Sequence, residues 1–342
     1  MDKTKRINGF DYLRVILCFS VIALHTNIFN VPNQYVGTDP TNPIFYRIIL
    51  YNLFWCAVPA FYSLSLFLYI KNRDDNKNYF NKRFLSLLLI YIFWAVVEYA
   101  LMNNGSLENI ELSKWGIFQI ISSNTNIAYY LFNLLYLTAF TEIIIRLIQK
   151  APVFKYAIIS IGLITSCILM FFGSGILNKI FNPDFQLGSK LGFSNPLLFL
   201  SYIFASFIIY ELYKNQKYIN PGIALSFILW FLIAIADWFI RINVSDLAPI
   251  NYESLGRPSL VFESIFLILV FMKIKIKKVS RTISVLSGLS LSIYLIHPIV
   301  LKYIGINQAI YNVPLNGYII FLLTLIITTV FSLALKNIKG LI

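Results

Sequence analysis

Apolar runs of roughly twenty residues recur along the whole chain, separated by short polar segments rich in lysine and asparagine. A helix that crosses the hydrocarbon core of a bilayer needs about 20 mostly apolar residues. Backbone groups in lipid must also find their partners inside the segment that carries them. The pattern therefore predicts an all-α integral membrane protein, a polytopic bundle of about ten transmembrane helices. They fall near residues 10–29, 44–70, 84–102, 127–148, 153–173, 194–213, 221–241, 259–274, 283–304 and 316–335. The stretch from Trp115 to Ile121 is too short to span and is expected to lie along the membrane surface. No internal repeat is evident, and no polar stretch is long enough for a soluble domain. Residues 1–342 thus read as a single membrane domain with no appended soluble domain.

Composition agrees with that pattern. The chain is 58% hydrophobic and 13% charged, where soluble domains carry about 25% charged residues. A net charge of +13 would point to nucleic acid in a soluble chain. Here the cations sit between apolar runs, so no nucleic-acid partner is expected. Twenty lysines and arginines fall in alternate segments: the N-terminus, 71–83, 146–155, 214–217, 273–281 and 336–339. The intervening segments hold seven, and Arg14 lies inside the first run. This asymmetry predicts cytoplasmic termini and a cell (plasma or inner) membrane location. The 57 aromatic residues are expected mostly at lipid-facing or interfacial positions. Cys18, Cys56 and Cys167 lie within apolar runs without metal-ligand or disulfide spacing, so no metal is expected. The basic start followed by an apolar run looks like a signal peptide. Asp11 and Arg14 interrupt the run, however, and no small-residue cleavage site follows, so it reads as a retained first helix.

That first helix carries the most informative chemistry. Asp11 and Arg14 are one turn apart and can pair. Arg14 and His25 are eleven residues apart, about 16 Å along a helix and nearly in register. Asp11, Arg14, Cys18 and His25 therefore share one stripe. Ionisable groups on one stripe of a membrane helix should face the bundle interior or a wet cavity. Arg14 lies near the inner mouth and His25 lies deep. Cationic groups at the mouth would hold a phosphate-bearing donor while a long arm carries its reactive end to His25; a coenzyme A thioester has that shape.

The residues from Asp11-Tyr-Leu-Arg14 to His25 resemble the opening of the acyltransferase-3 family of integral membrane O-acyltransferases. The late segment Ser287-Gly-Leu-Ser290-Leu-Ser292-Ile-Tyr294-Leu-Ile-His297-Pro298 is similar to that family's Ser…Ser…Tyr-Leu-x-His-Pro stretch. Two departures stand out. Phe61-Tyr-Ser-Leu-Ser65 lacks the glycine of the family's Ser-Gly-Phe segment, and Lys82-Arg83 stands where many members carry Arg-x-x-Arg. The resemblance implies transfer of an acetyl or other acyl group from acetyl-CoA to a hydroxyl. The implied acceptor is a cell-surface glycan or its lipid-linked precursor.

On that reading His25 is the general base, since imidazole titrates near neutrality. Glu98 and Asp237 would orient the imidazole or acceptor hydroxyls. Asp11, Arg14, Lys82 and Arg83 would form the donor entrance, and Ser287, Ser290, Tyr294 and His297 would support the site. His297 precedes Pro298, where a helix hydrogen bond is lost, so a histidine satisfying that break is an equal alternative. Acceptor choice would lie in the outer loops 174–193 and 242–258. Two other functions fit buried polar residues in a helix bundle: a transporter or flippase of envelope precursors, or a catalytically inactive relative.

Overall fold

The computed structural model describes residues 6–26, 28, 54–102, 129–181, 195–243, 255–311 and 315–336. The expected surface segment Trp115 to Ile121 lies outside them. Among the described residues there are ten α-helices and no strand. They are α1 (Gly9–His25), α2 (Ala57–Asp75), α3 (Tyr79–Met102), α4 (Tyr129–Lys150), α5 (Lys155–Phe181), α6 (Ser201–Lys214), α7 (Ile219–Asn243), α8 (Pro258–Lys273), α9 (Arg281–Tyr311) and α10 (Gly317–Leu335).

Seven of them are long and apolar enough to cross a membrane. The other three fall short for visible reasons. α1 has 17 residues and α8 has 16, below the roughly 20 that a perpendicular span needs. α2 ends in Lys71, Arg73, Asp74 and Asp75. A count of ten full spans therefore goes beyond what helix length and composition show. All three short helices are buried in the bundle, so protein rather than lipid surrounds much of their length.

Burial sorts the helices into an inner and an outer set. The spanning windows of α4, α6 and α9 are 50%, 56% and 61% buried, whereas those of α5, α7 and α10 are 17% buried. The outer helices expose Ile, Leu, Val and Phe along their length, as expected of a lipid-facing surface. Some aromatic residues, such as Phe140, Phe172 and Phe331, are exposed on the outer surface, whereas a group of tyrosines lies inside the bundle. Tyr62, Tyr130, Tyr202 and Tyr294 are buried. Tyr62 stacks on Tyr130 at 4.7 Å, and Tyr130 meets Tyr294 edge-on at 5.2 Å. A buried tyrosine fills large volume and needs a hydrogen-bond partner; the Tyr62 hydroxyl finds the Tyr130 carbonyl.

Close contacts align the helix ends. Ser63 of α2 meets Ser264 of α8 at 3.0 Å, and Ser206 of α6 donates to the Ser63 carbonyl. These three helices run in the same direction. α5 runs against α6, with Lys155 at its start on Glu211 near the end of α6. α1 runs against α8, since Gly9 abuts Phe271. The result is that Arg73, Arg146, Lys155, Lys214 and Lys273 gather at one end of the bundle, as the alternating cations predicted.

At that end a buried ion network closes α2 onto α4. Arg73 forms a two-pronged fork on Glu142, with Nε to Oε2 at 2.9 Å and Nη2 to Oε1 at 2.8 Å. Tyr69 donates to Oε2 at 2.7 Å, and Arg146 donates to Oε1 at 2.9 Å. Removing one partner from such a buried pair costs about 3–5 kcal/mol, because the other charge is left uncompensated.

Candidate active site

The site is built on the seam between α1 and α9, and α1 is seated by backbone contact. A Cβ at Gly9 would stand 1.9 Å from the Phe271 carbonyl oxygen, so only glycine lets the start of α1 reach the end of α8. Asn8 reinforces the junction by donating its side-chain amide to the Ile276 carbonyl at 2.9 Å.

One turn into α1, Asp11 is buried and fully engaged. Arg6 Nε donates to Oδ2 at 3.0 Å, and Arg6 Nη2 lies 2.8 Å from the same oxygen. Ser287 Oγ donates to Oδ1 at 2.9 Å, crossing to α9. The carboxylate beside Arg6 holds that guanidinium's pKa above its ordinary value. Arg14 reaches Asp11 only at 3.7 Å. Asp11 is thus a hub that fastens α1 to α9, and its direct bonds go to Arg6 and Ser287 rather than to the open entrance. Cys18, two turns farther, points its thiol at the Ser290 carbonyl at 3.7 Å. The Ser290 hydroxyl itself turns back to the Ser287 carbonyl.

Arg14 is held loosely and keeps 32% of its side-chain surface open. Besides Asp11 and Arg6, it feels the charge of Arg83 and the hydroxyl of Tyr130. Tyr130 in turn hydrogen-bonds Ser65 and lies in the field of both arginines. Arg83 makes no ion pair among the described residues, and its neighbour Lys82 is exposed. Two guanidinium groups therefore act on each other electrostatically, and the carboxylate nearest Arg14, Asp11, stands off at 3.7 Å. Such a pair attracts an anion, and phosphate oxygens match the guanidinium fork.

At the far end of the seam, the His25 and His297 rings lie side by side, with centroids 5.2 Å apart and planes tilted by 44°. His25 is open on one side, whereas His297 is buried. Pro298 lies inside α9. Its missing N–H frees the carbonyl four residues back, which is that of Tyr294. His297 Nδ1 takes this carbonyl as its partner. The backbone oxygen can only accept, so Nδ1 carries the proton and Nε2 has the lone pair. Nε2 has no hydrogen-bond partner among the described residues.

The remaining expected site residues are placed as follows. Tyr294 packs against Phe61, Tyr130 and His297. Asp237 is buried on α7 and acts electrostatically on Cys167 of α5; α7 lies chiefly against α8, in the outer set. The side chain of Glu98, late in α3, is outside the described residues, as are 182–194 and 244–254 of the outer loops. Glu263, which was not among the expected site residues, is buried near Arg257, Trp230 and Cys56. Among the described residues no group of three or more His, Cys, Asp or Glu is placed to hold a metal ion.

Sequence reasoning missed three participants. Arg6 reads as one of three N-terminal cations, and its spacing of five from Asp11 is not a helical pairing. Ser65 stands in the segment that departs from the family's Ser-Gly-Phe pattern and Tyr130 in an apolar run, and nothing local ties either of them to Arg14. The buried fork of Arg73 on Glu142 had a weak signal, since Glu142 is an acid late in a span and four residues before Arg146.

Set against known families, the acyltransferase-3 model, described as an acyltransferase domain, matches residues 7–336. The chain belongs to that family and is a membrane acyltransferase. No curated protein and no solved structure matches it.

Proposed function

We propose that this protein moves an acetyl group from acetyl-CoA to a hydroxyl of a cell-surface glycan or its lipid-linked precursor. The observation that carries this reading is a partly open Arg14, within the electrostatic reach of Arg83, toward one end of α1, with His25 beside His297 at the other. The two ends are about 16 Å apart along the helix. A donor with charged phosphates and a long arm ending in a thioester spans that kind of separation. Arg14 and Arg83 hold the phosphates, with Lys82 as an exposed auxiliary cation. Lysine supplies charge but not the planar fork of an arginine.

In the reaction His25 takes the proton of the acceptor hydroxyl as its oxygen attacks the thioester carbonyl. The carbon–sulfur bond breaks, and His25 returns the proton to the departing thiolate. Glu98 and Asp237 orient the acceptor in the outer half. Asp11 and Ser287 hold α1 in register with α9, so the two functional ends stay aligned. The donor side and both termini face the cytoplasm, in keeping with the cations gathered at that end.

The test is a mass comparison of surface glycans from cells carrying the wild-type gene, no gene, or the His25→Ala variant. The expected result is an acetyl increment of mass in the first strain alone. General-base catalysis contributes about 10²–10⁴-fold, so acetylation in the His25→Ala strain should fall below detection. An unchanged increment in that strain would remove His25 from the chemistry.

A further inference from the structure

His25 has a role in the proposed reaction, whereas the buried lone pair of His297 has none yet. We infer that His297 is a positioning residue: its Nε2 accepts a hydrogen bond from His25 and so decides which His25 nitrogen faces the acceptor hydroxyl. The inference rests on His25 being the base and deepens that assignment.

The chain of causes starts in the backbone. Pro298 has no N–H, so the Tyr294 carbonyl has no helical donor. His297 Nδ1 fills that vacancy. The bond settles two things at once. It places the proton of neutral His297 on Nδ1, and it fixes the ring against rotation. Nε2 is left as a buried acceptor with no partner among the described residues, which is costly unless a donor arrives. The neighbouring ring is His25, at a centroid separation of 5.2 Å and an interplanar angle of 44°. Two imidazole rings at that separation, once turned edge to edge, have about one hydrogen-bond length between them. His25 is the exposed partner, so a turn of its ring brings an N–H onto Nε2. Catalytic hydrogen bonds are often long before substrate binds and tighten afterwards.

The consequence for the reaction is specific. With one His25 nitrogen donating to His297, the other holds a lone pair toward the acceptor. When the acceptor hydroxyl gives up its proton, His25 becomes an imidazolium with an N–H at each nitrogen. The inner N–H is held by Nε2 of His297, and the outer one passes its proton to the leaving thiolate. The Tyr294 carbonyl, His297 and His25 thus form a relay of orientation, in which no proton leaves His297.

The experiment follows release of the CoA thiol from acetyl-CoA by the full-length protein in lipid nanodiscs, with water standing in for the acceptor. His297→Phe should lower kcat by about 10–100-fold, the worth of one hydrogen bond to a charged group. KM for acetyl-CoA should stay within about twofold, because the donor cations are untouched. His297→Gln, whose amide both donates and accepts, should recover part of the loss. In a His25→Ala background His297→Phe should cost nothing further. Pro298→Ala gives an independent reading if the His297 variants do not fold. It restores a backbone donor to the Tyr294 carbonyl, frees the His297 ring, and should lower kcat roughly 3–10-fold. Wild-type kcat in both His297→Phe and Pro298→Ala would overturn the positioning role while leaving His25 in place. An additive loss in the His25→Ala background would overturn it too. Full activity in His25→Ala alone would instead sink the base assignment beneath it.

Discussion

Two buried carboxylates in this protein have nearly the same company and opposite uses. Glu142 is bonded by Arg73, Arg146 and the Tyr69 hydroxyl. Asp11 is surrounded by Arg6, Arg14 and the Ser287 hydroxyl. Each thus meets two arginines and one hydroxyl. At Glu142 every contact is short, between 2.7 and 2.9 Å, and the Arg73 fork uses both oxygens. Arg73 is consumed by the fold. At Asp11 the second arginine stands off at 3.7 Å and remains partly open. Arg14 is oriented without being neutralised, and Arg83 nearby has no carboxylate of its own among the described residues. The difference shows that a buried acid–base cluster is a structural lock when its hydrogen bonds are complete. It becomes a candidate binding site when one cation is left with unused donors.

The contrast predicts effects on different observables. The largest is expected from Glu142→Ala, which leaves Arg73 buried without its partner. It should cost about 3–5 kcal/mol, read as a marked drop in the melting temperature of the detergent-solubilised protein. A melting temperature within a degree of wild type would show that the fork is not a lock. Arg14→Ala should act the other way, leaving melting little changed while KM for acetyl-CoA rises about 10–100-fold, the worth of a hydrogen bond to a charged group. If Arg14→Ala melts the protein and spares KM, the two hubs are both structural. Arg146→Ala removes the exposed arm of the Glu142 network and should cost at most about 1 kcal/mol, so the melting temperature and KM should both stay near wild type. A loss as large as that of Glu142→Ala would mean that Arg146, rather than the Arg73 fork, holds the network.

How far the chain could be read without its structure varied with the type of interaction. The α1 stripe was legible because helical period is local: Asp11, Arg14, Cys18 and His25 share a face at 3.6 residues per turn, and the structure lays Asp11, Cys18 and His25 on α9. The pairing of Asp11 with Arg14 was legible in kind but not in strength. Arg6, from the turn before the helix, takes the closer position because it approaches from outside the helical register. His297 was marked twice in the sequence, as a histidine before a proline and as a residue expected to support the site. Only placement could show that the two facts belong together, with the proline freeing the carbonyl that orients the ring.

Apolar run length, alternating cations and the polar stripe of the first helix are properties of neighbours along the chain, and they sufficed for a membrane helix bundle; the acyltransferase family came instead from the likeness of two segments, Asp11 to His25 and Ser287 to Pro298, to that family's motifs. The engagement of Asp11 with Ser287, 276 residues away, and the meeting of His25 with His297 depend on how α1 and α9 pack. Helix packing is set by the complementary surfaces of both partners, here Asp11 and Cys18 on α1 against the Ser287 hydroxyl and the Ser290 carbonyl on α9. No periodicity within one segment specifies which distant segment it will touch. For that reason the chemistry-bearing residues could be named from their own helices, while their partners became visible only in the assembled bundle.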